Sequence, residues 1–179
     1  MMQEMTSTTS TATTPRVVAL YLKRAHRGPM DPVREATAVV GQGLEGSVGR
    51  SRRRQVTLLE LENWQRSTAQ VGSDADPSRR RANIVVSGIA LFGTRGRVLR
   101  IGEVRLAVGG ELTPCERMDE VHDGLQAALR PDWRAGVFAQ VLDGGTIRVG
   151  DAIEWEDAAA PAAGSAERAH TVDSATPSR

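Results

Sequence analysis

The feature that most constrains this chain is a succession of short β-rich apolar runs, each cut off by glycine or a polar turn. There are 18 glycines in 179 residues. RVVALYL (Arg16–Leu22) comes first, then ATAVV (Ala36–Val40), which ends at a Gly-dense loop. QVTLL (Gln55–Leu59) and NIVVS (Asn83–Ser87) follow. Arg97–Ile101 and Glu103–Val108 read as two strands across a tight Gly turn. Phe138–Leu142 and Thr146–Val149 flank Asp-Gly-Gly, a hairpin signal. Asp151–Trp155 closes the series. Runs of four to seven residues with this turn chemistry are too short for helices.

Two segments carry helical spacing instead. Leu58, Leu61, Trp64, Thr68 and Val71 recur every three or four residues, as do Met118, Val121, Leu125 and Leu129 within Glu116–Leu129. The fold expected is therefore mainly β with some α: a barrel with a few helices packed outside. Apolar residues make up 40% of the chain but aromatics only 3%, so Val, Leu, Ile and Ala must fill the core.

Residues 1–15 are Thr- and Ser-rich, and residues 157–179 are rich in Ala, Ser and Pro. Neither holds enough large apolar side chains to offset ordering entropy, so both read as disordered tails. One domain over residues 16–156 is the organisation expected. The first fifteen residues lack a basic start followed by an apolar run, and no apolar stretch reaches bilayer length. With one cysteine there is no internal disulfide. The expectation is a cytoplasmic protein without a membrane partner. A net charge of +1 and few aromatics argue against a nucleic-acid partner.

Local arginine density is the exception to that balance. Arg50, Arg52, Arg53 and Arg54 precede QVTLL, and Arg79, Arg80 and Arg81 precede NIVVS. Both runs sit at strand entrances, where strand ends can converge on one mouth. Guanidinium forks suit phosphate, so an anion site competes with plain solvated surface. Lys23, Arg24 and His26, after the first strand, could join it. The loop VGQGLEGSVG lacks the pattern of a nucleotide loop.

Cys115 lies in ELTPCERMDE. Thr113 suits an N-cap and Pro114 a helix start, which would place the thiol in a first helical turn. There it can ionise, with Arg117 adding positive charge, and a thiolate can attack, carry sulfur or bind a soft metal. A small buried core residue is the alternative. Asp119 and His122 could share its face, but His122 is two turns, about 10 Å, along the helix and is expected to face solvent.

Taken together and in this order, several segments resemble the MOSC domain family. They are GLEG at Gly43–Gly46, RQVTLLE at Arg54–Glu60, RANIVVSGI at Arg81–Ile89, IGEVRLAV at Ile101–Val108, PCERMD at Pro114–Asp119, and RAGVFAQVLDGGTIRVGDAIEW at Arg134–Trp155. The chain looks like the small stand-alone bacterial members. The resemblance implies a β barrel of the pyruvate-kinase-barrel type and a molybdenum cofactor (molybdopterin). It also implies either reduction of N-hydroxylated small molecules or sulfur transfer. The family's cysteine falls on Cys115, as molybdenum ligand or sulfur carrier. Its R-x-N pattern falls on Arg81 and Asn83, and its lysine on Lys23, against the phosphate or pyranopterin. Arg54 and Arg117 complete the expected cofactor-binding set. A reductase would be the partner in the first case and a cysteine desulfurase in the second. Pyridoxal phosphate, which belongs to a separate domain in fused relatives, is not expected. The family's G-D-R-H is replaced by Gly46-Ser47-Val48-Gly49, so its arginine is missing. Arg50 or Arg52 is the expected substitute.

Overall fold

The computed structural model describes residues 14–156. Both expected tails lie largely outside the described residues. Strand β1 (Arg16–Lys23) is followed by β2 (Met30–Val33), β3 (Glu35–Val39), β4 (Gly43–Leu44) and β5 (Val56–Glu60). Helix α1 (Leu61–Gln70) and a 3₁₀ turn (Pro77–Arg80) lead to β6 (Ile84–Ser87), β7 (Val98–Ile101) and β8 (Val104–Glu111). Then come α2 (Arg117–Val121), α3 (Leu125–Ala128), a second 3₁₀ turn (Pro131–Trp133), β9 (Val137–Asp143), β10 (Gly145–Arg148) and β11 (Ile153–Trp155).

Eight strands form one sheet in the order β11-β7-β8-β9-β5-β6-β1-β2, and β10-β3-β4 form a second. The mainly β expectation holds, but the closed barrel does not. The large sheet curls until Asp151 and Ala152, just before β11, reach the start of β1. An isolated bridge, Arg16 to Ala152, two backbone bonds between Val17 and residues 150 and 151, and one from the Ile153 N–H to the Pro15 carbonyl join them. The ladder itself stays open.

Alternation produces the core. In β8, Val104, Leu106, Val108 and Gly110 are buried while their neighbours are half-exposed, so one face points inward. In β9, Val137, Ala139 and Val141 do the same. Apart from Gly110, these residues join Leu20, Leu44, Val56, Leu58, Ile84 and Leu99 in the main core. A second cluster of Leu59, Trp64, Ala82, Met118, Leu125, Leu129 and Ala135 fixes the helices to the outside of the sheet.

Two further expectations are corrected, and one strand is added. The helix over Glu116–Leu129 is two short helices, because His122 is extended (φ −161°, ψ 135°) and Gly124 is left-handed at φ 81°. The Asp119 carboxylate accepts the Gln126 N–H at 2.8 Å and holds the break. The hairpin around Asp143-Gly144-Gly145 is not a hairpin: β9 stays in the large sheet and β10 pairs with β3. A side chain at Gly144 would come within 2.7 Å of the Ala38 carbonyl, so the chain hugs β3 there and changes sheet. Strand β2 escaped the sequence reading because Pro32 interrupts it; at the sheet edge the missing N–H is tolerated.

Candidate functional site

Strands β5 and β6 are parallel neighbours, and β1 runs antiparallel beside β6. The N-terminal ends of β5 and β6 and the C-terminal end of β1 therefore lie at one margin of the sheet. Arg54 precedes β5, Arg81 and Asn83 precede β6, and Lys23 ends β1. Topology thus brings together residues separated by up to sixty positions. The segment leaving β8 covers this margin. Along Leu112-Thr113-Pro114-Cys115 exposure alternates: Leu112 and Pro114 are buried, while Thr113 and Cys115 are exposed. Leu112 is anchored by donating its N–H to the Gly136 carbonyl at 2.9 Å, and the Gln126 side-chain amide donates to the Pro114 carbonyl at 3.1 Å.

The result is a cavity of about 270 Å³ lined by Cys115 and by all five expected cofactor-binding residues, Lys23, Arg54, Arg81, Asn83 and Arg117. Arg50 and Arg80 line it too, which makes six cationic side chains, and no Asp or Glu is among the lining residues. Ser47, Gln55, Thr57 and Thr113 add polar groups, and Val48, Leu112 and Met118 apolar ones.

The cations press on one another. The Lys23 pKa is lowered, first by burial and then by Arg81, Arg54 and Arg117. The Arg81 pKa is lowered by burial and by Arg117. Burial brings Arg80 down to about 10, with Cys115 opposing the shift and Arg54 adding to it. Arg80 donates to the Ala135 carbonyl at 2.7 Å and reaches the Leu112 carbonyl at 3.5 Å, so it pins the strap that carries Cys115. Arg81 is left-handed (φ 64°) and donates through Nη1 to the Gly28 carbonyl. Its Nη2 is buried and has no hydrogen-bond partner. An unpaired buried guanidinium nitrogen is costly, and an anion in the cavity would satisfy it.

Asn83 behaves differently. Its Oδ1 accepts from the Thr57 backbone (3.3 Å) and hydroxyl (3.0 Å), and its Nδ2 donates to the Tyr21 carbonyl (3.2 Å) and the Ser47 hydroxyl (3.3 Å). All of its hydrogen-bonding capacity is spent inside the protein. Ser47 also accepts the Lys23 N–H at 3.2 Å, and the Val48 N–H bonds the Lys23 carbonyl at 2.7 Å. The replacement for G-D-R-H therefore fastens to the end of β1. A side chain at Gly49 would come within 2.7 Å of the Lys23 amino nitrogen, so glycine leaves that amine its place. Of the two expected substitutes for the missing arginine, Arg50 lines the cavity and holds the Leu44 carbonyl at 3.1 Å, whereas Arg52 is not among the lining residues.

Other expectations fall away. Cys115 is exposed rather than in the core, and it precedes α2 instead of lying in its first turn. Its carbonyl, not a side chain of Thr113, accepts the Met118 N–H at 3.0 Å. His122 contacts the Asp123 carbonyl, Arg24 pairs with Asp31 at 3.0 Å, and none of these, nor His26 or Asp119, lines the cavity. Arg80 escaped the expected set, and Arg50 entered only as a substitute for the missing arginine, because nothing in a charge run marks which members will face inward. Ser47 escaped because a hydroxyl in a glycine loop carries no signal by itself.

A model of the MOSC domain family matches residues 26–154. No curated protein matches the chain. Among solved structures, the chain is similar to the YUAD protein of Bacillus subtilis, with 19% identity, a TM-score of 0.68, and coverage of 80% of this chain and 96% of that one. It is also similar to YiiM of Geobacillus stearothermophilus (15% identity, TM-score 0.65, 80% and 75% covered). YiiM of Escherichia coli is similar too (15%, 0.61, 80% and 70%). At these identities the likeness concerns the fold.

Proposed function

Because this chain belongs to the MOSC domain family, we propose that the cavity beneath Cys115 binds the phosphorylated molybdenum cofactor and supports reduction of N-hydroxylated small molecules. The observation that carries this reading is six cations around one exposed thiol with no lining carboxylate. Such a cavity is electrostatically unfavourable until an anion enters it. The buried, unpartnered Nη2 of Arg81 fits that anion. Arg81, Arg54, Arg50 and Lys23 would hold a phosphate, through guanidinium forks and an ammonium group. Cys115 would supply a soft thiolate to molybdenum. Among the described residues no group of three His, Cys, Asp or Glu stands ready to hold a metal, so Cys115 would be its one protein ligand here.

When bound, the cofactor would supply two-electron redox chemistry at the metal. The chain's own residues bind, orient and shield. Asn83 and Ser47 fix the end of β1 and hence Lys23. Arg80 fixes the strap that presents Cys115. Met118, Leu112 and Val48 give the mouth an apolar lining, which suits an uncharged substrate. A separate reductase would deliver electrons.

The exposure of Cys115 also suits a second reading, that of a sulfur carrier. Here the Cys115 thiolate attacks the outer sulfur of a cysteine desulfurase persulfide and releases the donor's thiolate. Elemental analysis of protein from a host that makes the cofactor separates the two. Molybdenum in the wild type that disappears in Cys115→Ser supports the first reading. Lack of molybdenum in the wild type, with a mass gain of one sulfur atom on Cys115 after incubation with a desulfurase, overturns it in favour of the second.

A further inference from the structure

A second cavity, of about 330 Å³, adjoins the first and shares Arg81, Arg117 and Met118 with it. Arg27 and Arg79 add two more guanidinium groups to its lining. Neither forms an ion pair among the described residues. One carboxylate is present, that of Glu120, but its side chain is 69% exposed and lies 3.9 Å from Arg117. The cysteine cavity does not need these two arginines, since its own six cations exceed what one phosphate requires.

Arg81 lines both cavities. Its backbone is left-handed, its Nη1 is bound to the carbonyl of Gly28, which lines the second cavity, and its Nη2 is buried without a partner. A guanidinium in this position can bridge two anionic groups, one in each cavity.

We infer that the two cavities form one bipartite site for a short chain of phosphates. One phosphate sits in the cysteine cavity and the next beyond Arg81, between Arg27 and Arg79. This rests on the reading of the cysteine cavity as an anion site, and it extends the ligand class from a monophosphate to a polyphosphate chain.

The test is calorimetric titration of the purified full chain, at fixed ionic strength, with inorganic phosphate, pyrophosphate and tripolyphosphate. Two additional charge-assisted contacts should make one of the chains bind at least about tenfold more tightly than phosphate. Arg27→Gln/Arg79→Gln should bring the chains down to phosphate's affinity and leave phosphate within about twofold, since a contact absent from a complex contributes nothing to it. Arg66→Gln/Arg130→Gln removes the same charge from exposed positions outside both cavities and should leave the preference intact. Both pairs of side chains are exposed, and circular dichroism verifies folding. Chains no tighter than phosphate overturn the inference alone. So does a preference that survives Arg27→Gln/Arg79→Gln, or one that the remote pair abolishes equally. Failure of every anion to bind overturns the reading of the cysteine cavity as well.

Discussion

At the scale of single residues, three side chains divide the work, and each predicts a different signature. Cys115 is exposed and bonded only through its backbone, so Cys115→Ser should change stability by no more than about 0.5 kcal/mol while removing bound metal. Denaturant unfolding of the two proteins checks the first half. Arg80 is structural: losing its bond to the Ala135 carbonyl strands a part-buried acceptor, and Arg80→Ala should cost roughly 1–3 kcal/mol in the same measurement. Lys23 is the proton-linked group. Its pKa is lowered by burial and by Arg81, Arg54 and Arg117, so a bound anion raises it and binding takes up a proton. Phosphate affinity should therefore fall as pH rises past the lowered value, before an ordinary lysine titrates; an affinity flat until Arg deprotonation would contradict this. Cys115, Lys23, Arg54, Arg81, Asn83 and Arg117 were all legible as candidates because short motifs name residues. Whether a named residue is free was not legible: Asn83 touches the cavity but has nothing left to donate.

Among elements, period and turn chemistry located most strands to within a residue or two, but pairing depended on contacts far apart in sequence. Asp143-Gly144-Gly145 has the composition of a hairpin turn, yet close packing on Ala38 sends the chain to the other sheet. The second helical pattern is real on its apolar face, since Met118, Leu125 and Leu129 are all buried together. Its continuity is lost at His122 because side-chain capping by Asp119 competes with the helix. The junction of β5 and α1 offers a test at this scale. Glu60 accepts the Leu91 N–H at 2.9 Å, and burial, the largest influence on it, raises its pKa. A carboxyl with a raised folded-state value contributes stability that is complete below its unfolded value and lost as pH rises through the folded one. Glu60→Gln keeps the acceptor without the buried charge. It should flatten that part of the pH–stability profile and leave stability at neutral pH equal or higher. A loss at neutral pH would show that the charge itself is needed.

For the molecule as a whole, strand pairing within the curled sheet places the site. Strand ends β1, β5 and β6 converge at one margin, and both arginine runs arrive there because each precedes one of the two parallel strands. The runs showed in the sequence; their convergence required the parallel pairing. No helix of the described residues is long and apolar enough to cross a membrane. A fold that gathers six cations around a cavity should gain stability from any anion that neutralises them. Saturation at a hundred times the dissociation constant contributes about 2.7 kcal/mol, which for this size raises Tm by roughly 5–10 °C. Phosphate should do this for the wild type and far less for Arg81→Gln in a thermal melt. The most direct measurement is the pterin content of the protein purified from a cofactor-producing host, read by fluorescence after oxidative release, with Arg81→Gln alongside. Pterin should approach one per wild-type chain, with a marked loss in Arg81→Gln. A wild-type protein that carries no pterin, or an Arg81→Gln protein that carries as much, would contradict it.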